Sequence, residues 1–194
     1  YIHPEDYDDA VEKLERIFGV VSYSLAVSCK STFEDIEETV SNYADYLIEE
    51  GLLDENTEFA INCRRVGNHE FSSQEMAAFA GAVVVRKIGA PVNLSNPQLT
   101  IYLEVRDGDT YVYHEKIPGP GGLPLGTQGK VVALVSSGID SPVATYLMMK
   151  RGCQVIALYC DNDPYTSEEA LKNFNDLIDQ LNLYAKPLRN NGKF

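Results

Sequence analysis

The sequence runs to 194 residues, 44% of them hydrophobic and 23% charged, with a formal net charge of −13. This composition excludes an intrinsically disordered chain, and no apolar run approaches the ~20 residues that a membrane helix needs. So acidic a chain has no general attraction for a phosphate backbone, and any nucleic-acid partner must be held by a local patch.

The charge is uneven. Residues 1–28 hold six acids and two bases, residues 29–117 sixteen and seven, and residues 118–194 seven of each. Four cysteines (Cys29, Cys63, Cys153, Cys160) form no CxxC pair and three histidines are scattered, which predicts reduced thiols and no metal site of protein ligands. The opening YIHPEDYDD is acidic where a secretory signal is basic and then apolar, so the expected location is cytoplasmic.

In chain order, Val11, Leu14, Ile17 and Phe18 predict a helix over 5–18, stopped by Gly19, and VVSYSLAV (20–27) predicts a strand. A lone helix and strand bury too little to stand alone, so the chain is expected to begin partway through a domain. Phe33, Ile36, Val40, Tyr43 and Leu47 predict an amphipathic helix over 31–50 with Ser31 or Thr32 as its cap. A strand (58–66) and a helix (73–89) follow, the helix capped by Ser72 or Ser73, with Glu75 in its first turn and Gly89 at its end. LTIYLEVR and TYVYHEKI (99–106, 110–117) read as a hairpin, with Asp107 and Gly108 supplying positive backbone angles.

Residues 118–129 contain three prolines and five glycines, the signature of a linker or an extended crossing segment. Beyond it the pattern is βαβαβ: strand 130–135, helix 142–151, strand 154–160, helix 167–182, strand 183–188. Such alternation predicts a parallel sheet covered on both faces.

Ligands of such sheets sit beyond the carboxyl ends of the strands, and SSGIDSP (136–142) occupies the first such position. Ser141 can serve as N-cap with Pro142 at N1; free N–H groups, hydroxyls and the close approach allowed by Gly138 would then cradle a phosphate. Asp140, whose carboxylate would repel a phosphate, would either bind the accompanying Mg²⁺ or orient the loop. A well-capped helix after an ordinary strand is the simpler alternative, and the Walker A pattern GxxxxGK[ST] is absent.

SSGIDSPVATYLMMKRGCQVIAL resembles the PP-loop of ATP pyrophosphatases. Together with CRRVGNHEFSSQE and LTIYLEVRDGDTYVYHEKIPGPGGLPLGTQGKV, it is similar to the tRNA 4-thiouridine synthetase family, also called the thiamine-biosynthesis sulfurtransferase. The resemblance implies an α/β chain: the C-terminal part of a ferredoxin-like domain (1–28), a THUMP RNA-binding domain (29–117), the linker (118–129) and an incomplete, doubly wound PP-loop domain (130–194). It implies an ATP-dependent sulfurtransferase that adenylates O4 of uridine 8 in tRNA and replaces it with persulfide sulfur. A cysteine desulfurase would be the sulfur donor, with sulfur supply for the thiamine thiazole as a further role. The alternative is a non-catalytic tRNA-binding protein with a drifted nucleotide loop.

By position, Ser136, Ser137, Gly138, Asp140 and Ser141 would bind the phosphates of ATP, with Asp140 catalytic. Leu134, Val135, Tyr159 and Cys160 would lie against the adenine and ribose. The family carries glycine where this chain has Ser137, which predicts a backbone penalty if that position needs glycine-only torsions. Arg64, Arg65, His69 and Lys87 would contact tRNA. The family's sheet continues past the point where this sequence stops, so further strands and the sulfur-receiving cysteine are expected outside it. The sequence leaves room for a homodimer.

Overall fold

The structure, a computed structural model, describes residues 2–162 and 164–185. In chain order its elements are α1 (Tyr7–Leu14), β1 (Ser22–Tyr23), β2 (Val27–Lys30), α2 (Phe33–Glu49), β3 (Phe59–Arg65), α3 (Ser73–Ile88), β4 (Leu99–Val105), β5 (Asp109–Tyr113), β6 (Ile117–Pro118), β7 (Lys130–Leu134), α4 (Asp140–Lys150), β8 (Gln154–Leu158) and α5 (Glu168–Asn182). They fall into two compact units. One runs from Ser24 to Lys116; the other joins the chain up to Tyr23 with the chain from Ile117 onward.

The Ser24–Lys116 unit is a four-stranded sheet, β2-β5-β4-β3, with β3 parallel to β4 and the other pairs antiparallel. Its two long helices are fixed locally. Thr32 caps α2 by accepting the Asp35 N–H, and Ser72 with Glu75 forms a reciprocal capping box at α3. Gly89 closes α3 in the left-handed region, φ 76°, where a side chain is disfavoured. Ile36, Val40, Leu47, Met76, Ala80 and Val84 meet Phe59, Ile101, Leu103, Val105 and Val112 in one buried core. Each large side chain there contributes roughly 1.5–3 kcal/mol by leaving water. The hairpin turns without a left-handed residue: neither Asp107 nor Gly108 has a positive φ, and the Arg106 N–H closes the turn on the Asp109 carbonyl at 3.0 Å. The expected positive angles are therefore corrected.

The other unit holds the parallel pair β7-β8, in register from Lys130↔Gln154 to Leu134↔Leu158. Val135, Val155, Met149 of α4, and Phe174, Ile178 and Leu181 of α5 form its core, and Phe18 joins them from the opposite end of the sequence. The Phe18 ring stacks on Tyr184 at 5.7 Å and meets Tyr146 edge-on at 5.3 Å. By packing, the compact units divide after Tyr23, five residues before the expected domain boundary at 28. The predicted strand 20–27 is instead two short ones, β1 and β2, which pair with β6 and β5 respectively.

The Pro/Gly-rich segment is anchored along its length. Gly119 and Gly121 donate to Val21 and Val20, Leu123 donates to the Lys150 carbonyl, and Gln128 donates to Gly152. It crosses over packed structure instead of hanging as a tether. Two further expectations change. Both helices described beside β7-β8 contribute to the same core, while Val132, Leu134 and Ile156 are 63%, 66% and 44% exposed, so one sheet face is bare among the described residues. Residues 183–185, predicted to open a strand, are turn, and the rest of that prediction lies outside the described residues. No helix among the described residues is long and apolar enough to cross a membrane.

Candidate functional site: a strand-to-helix loop and a basic turn

The β7-to-α4 junction is built from two hydroxyls that bond to each other. The Ser136 N–H donates to Ser141 Oγ at 2.9 Å, the two Oγ atoms lie 3.0 Å apart, and Ser141 Oγ also reaches the Ser136 carbonyl at 3.3 Å. This latch joins the end of the strand to the first turn of the helix. Ser141 is therefore not the N-cap expected from the sequence. Ile139 occupies that position in a right-handed conformation with no side-chain cap, and Pro142 falls at N3, still within the turn whose N–H groups lack intrahelical acceptors. An uncapped helix start with its dipole directed outward is suited to an anion.

Ser136, Ser137, Gly138 and Asp140 are exposed and Ser141 is half-buried. Ser137 shows no strain, since no residue other than glycine has a positive φ. The predicted torsional penalty at this position is thus absent. Gly138 needs no left-handed angle either, and a Cβ built there would meet only Ser136 Oγ at 3.5 Å. The space over Gly138 is open to a ligand and filled by no protein atom. Asp140 stands at the first helical position, exposed, where a carboxylate could hold a cation beside bound phosphates.

The neighbouring strand ends are aligned. The Val135 N–H donates to the Leu158 carbonyl at 2.9 Å, which sets Leu134 and Val135 beside the chain leading to Tyr159 and Cys160. Val135 is buried, Leu134 exposed, Tyr159 half-buried with its ring 4.8 Å from Phe174, and Cys160 exposed. All nine residues predicted for the nucleotide thus gather at one edge of β7-β8. Nothing in the sequence pattern signals the Ser136–Ser141 latch, because two serines five apart have no helical or strand periodicity.

In the Ser24–Lys116 unit, Arg64 and Arg65 close β3 and are both exposed. They point to opposite sides of the strand: Arg64 is level with Glu104 on β4, Arg65 with Val105. Arg65 turns to the following loop, where its guanidinium donates to the His69 carbonyl at 3.4 Å, while His69 Nε2 donates to the Val66 carbonyl at 3.1 Å and its ring stacks on Phe71. Gly67 (φ 101°) makes the turn possible, and a Cβ there would collide with the Asp107 carboxylate. Burial pushes the nearby Cys63 thiol up to about 11, with Arg65 opposing the shift, so Cys63 is an inert core thiol.

Lys87 does not join this group. Its ammonium donates to Asp45 at 2.7 Å and Ser41 at 2.9 Å on α2, and fourteen residues of α3, about 21 Å at the α-helical rise, separate it from Ser73. Two of the hairpin tyrosines pair: Tyr102 and Tyr113 stack at 5.1 Å, and Lys116 Nζ lies 4.0 Å above the Tyr102 ring. Among the described residues no group of three His, Cys, Asp or Glu side chains could hold a metal ion.

Comparison with known proteins gives both regions relatives. Residues 30–115 match the THUMP domain family, and residues 126–191 match the family described as thiamine biosynthesis protein (ThiI). A probable tRNA sulfurtransferase of Methanobrevibacter smithii is 63% identical over 186 residues, covering 96% of this chain and 49% of that protein. One of Methanothermobacter thermautotrophicus is 60% identical, covering 95% and 48%. Among solved structures, PH1313 from Pyrococcus horikoshii matches with a TM-score of 0.81 and 31% identity, covering 93% of this chain and 57% of that one. A 4-thiouridine synthetase–RNA complex with bound ATP matches with a TM-score of 0.79 and 27% identity, covering 94% and 47%. The chain spans about half the length of the curated relatives it matches.

Proposed function

This chain belongs to the tRNA sulfurtransferase family marked by THUMP and ThiI domains, and from that premise we propose that it contributes ATP binding and tRNA binding to the formation of 4-thiouridine. The observation that carries the nucleotide part is the α4 start: no side chain caps it, and the space over Gly138 is unfilled. ATP bound there would supply an electrophilic α-phosphorus for uracil O4, with pyrophosphate as the leaving group; a persulfide would then place sulfur on C4 as O4 departs with AMP, and a second thiol would break the S–S bond to release the carrier as a disulfide.

This chain's residues act on the charge. The first-turn N–H groups of α4 meet phosphate oxygens and stabilise the negative charge gathering on the leaving pyrophosphate, without reorganising at that moment. Ser136 and Ser141 keep those donors aimed, and Asp140 would hold Mg²⁺ beside them. Val135, with the strand ends around it, lies against the adenine and ribose. The ordinary backbone conformation of Ser137 supports this reading over the alternative of a drifted, non-catalytic loop.

For RNA, the end of β3 and the loop after it support the reading: Arg65 and His69 come together in the turn and Arg64 is exposed on the other side of the strand, whereas Lys87 is bonded to Asp45 and Ser41 of α2. These groups would contact phosphate and sugar and fix orientation without reading sequence. Persulfide would come from a cysteine desulfurase; sulfur supply for the thiamine thiazole, a homodimer and a cytoplasmic location extend the same proposal.

Titration of the chain with ATP and Mg²⁺, and separately with unmodified tRNA, tests both parts. Binding of each is expected, and no ATP binding would remove the nucleotide part. Arg64→Ala combined with Arg65→Ala should weaken tRNA binding roughly tenfold and lower the salt slope by about one to two. An unchanged affinity and slope would displace the RNA surface from this turn.

A further inference from the structure

Resting on the RNA reading above, we propose that the face of the β2-β5-β4-β3 sheet turned away from α2 and α3 is a platform for unpaired RNA bases, centred on Tyr113 and flanked by Arg64 and Lys116. Ile101, Leu103, Val105 and Val112 enter the core with both helices, so Tyr102, Glu104, Tyr111 and Tyr113 stand on the opposite face, which no helix of this unit covers. A face left to water calls for polar side chains, yet β4 and β5 place three tyrosines there. Tyr102 and Tyr113 are cross-strand neighbours and stack at 5.1 Å, and Lys116 Nζ lies 4.0 Å above the Tyr102 ring. On β2 the pairing ends at Val27↔Val112, so no β2 residue stands level with Tyr113 on its other side. A base laid against that side extends a stack the protein has already begun.

Charge marks the same face. The Ser24–Lys116 unit holds seven lysines and arginines against sixteen aspartates and glutamates, and Lys30, Arg86, Lys87 and Arg106 are each bonded to a carboxylate. Arg64, Arg65 and Lys116 have no carboxylate partner among the described residues, and two of these three cations, Arg64 and Lys116, belong to the tyrosine face. Arg64 reaches toward Tyr113: burial, with Glu104 and Tyr102, raises the Tyr113 hydroxyl above its ordinary 10, and Arg64 opposes the rise. Cations left unpaired in so acidic a chain suit phosphates, and rings set between them suit bases. A duplex keeps the faces of its bases inside its own stack, so the surface fits an unpaired segment.

Titration of the intact chain with a single-stranded RNA of about eight nucleotides, a blunt RNA duplex of the same length and unmodified tRNA tests this. The chain contains no tryptophan, so its emission is that of tyrosine, and stacked bases should quench part of it. The single strand should bind more tightly than the duplex. Tyr113→Leu should weaken it roughly tenfold, the scale of one lost base–ring stack, while Tyr113→Phe keeps the affinity. Lys116→Ala, at an exposed position, should lower the salt slope by about one; if Tyr113→Leu does not fold, this slope and the quench decide. Equal binding of single strand and duplex, or single-strand binding unchanged by Tyr113→Leu and Lys116→Ala, would overturn the platform. Loss of tRNA binding in Arg65→Ala alone would then leave the RNA surface at the turn after β3. A parent chain that binds no RNA of any kind would remove the RNA reading, and the platform with it.

Discussion

In each unit a parallel strand runs through a serine-containing loop into a helix, β3 into α3 and β7 into α4, and these two junctions use serine in opposite ways. At the start of α3, Ser72 Oγ accepts the Glu75 N–H at 3.1 Å and the Glu75 carboxylate accepts the Ser72 N–H at 2.7 Å. The helix start thus satisfies two of its own orphan donors with side chains. At the start of α4, Ser136 and Ser141 bond to one another, and no side chain caps the helix. Serine before a helix is therefore ambiguous as a signal. What matters is whether its oxygen faces the first-turn N–H groups or the preceding strand.

The strongest way to break this contrast is to remove one core at a time. Phe59→Ala in the Ser24–Lys116 unit and Phe18→Ala in the other should each cost about 3–5 kcal/mol of stability, since both rings are almost fully buried. ATP affinity should survive Phe59→Ala at temperatures where the protein stays folded, and should be lost with Phe18→Ala. Thermal melts paired with ATP titrations check this, and loss of ATP binding in a folded Phe59→Ala protein would show that the two junctions are not separable.

Much of this was legible in the sequence. Ser72, Glu75 and Gly89 announced α3 because a capping box and a glycine stop are local chemistry, and the structure realises them where the residues stand. The loop between β7 and α4, proposed to hold the nucleotide, stands where the alternation predicts a βα turn. Phe18 was legible only as a helix residue; its place in a core more than a hundred residues away depends on tertiary packing that no local pattern encodes. Ser141 was misplaced as a cap because propensity ranks serine at N-cap without knowing that Ser136 offers it a partner. The single turn in the hairpin failed similarly: Asp-Gly favours positive angles in two-residue loops, and here the connection closes from Arg106 to Asp109 with none.

Exchanging the serines sharpens the contrast at smaller scale. Ser141→Ala removes the oxygen that receives the Ser136 N–H and frees the loop from the helix, so ATP affinity should fall about tenfold or more while the fold persists. Ser141→Thr, which keeps the hydroxyl, should restore most of it. Ser72→Ala should do the reverse, lowering stability by about 1 kcal/mol with ATP affinity unchanged. If Ser141→Ala acted as Ser72→Ala does, on stability alone, the latch would be an ordinary structural contact.

The smallest effect expected is a difference in acid response between the two helix starts. Hydrogen bonds from the Ser72 backbone and hydroxyl hold the Glu75 carboxyl below its ordinary 4.5. A group with a lowered folded pKa stabilises the fold above its unfolded value and loses that contribution as pH falls through the folded one. Glu75 thus supports α3 at neutral pH and withdraws below about 4.5, whereas α4 has no side-chain cap to lose. Amide exchange of the α3 first turn, followed from pH 6 to pH 3 and corrected for intrinsic rates, should show protection declining in the parent chain. In Glu75→Gln, which retains an acceptor but cannot titrate, the protection should stay level. An equal decline in both proteins would assign the acid sensitivity to other carboxylates and leave the capping box as a purely geometric feature.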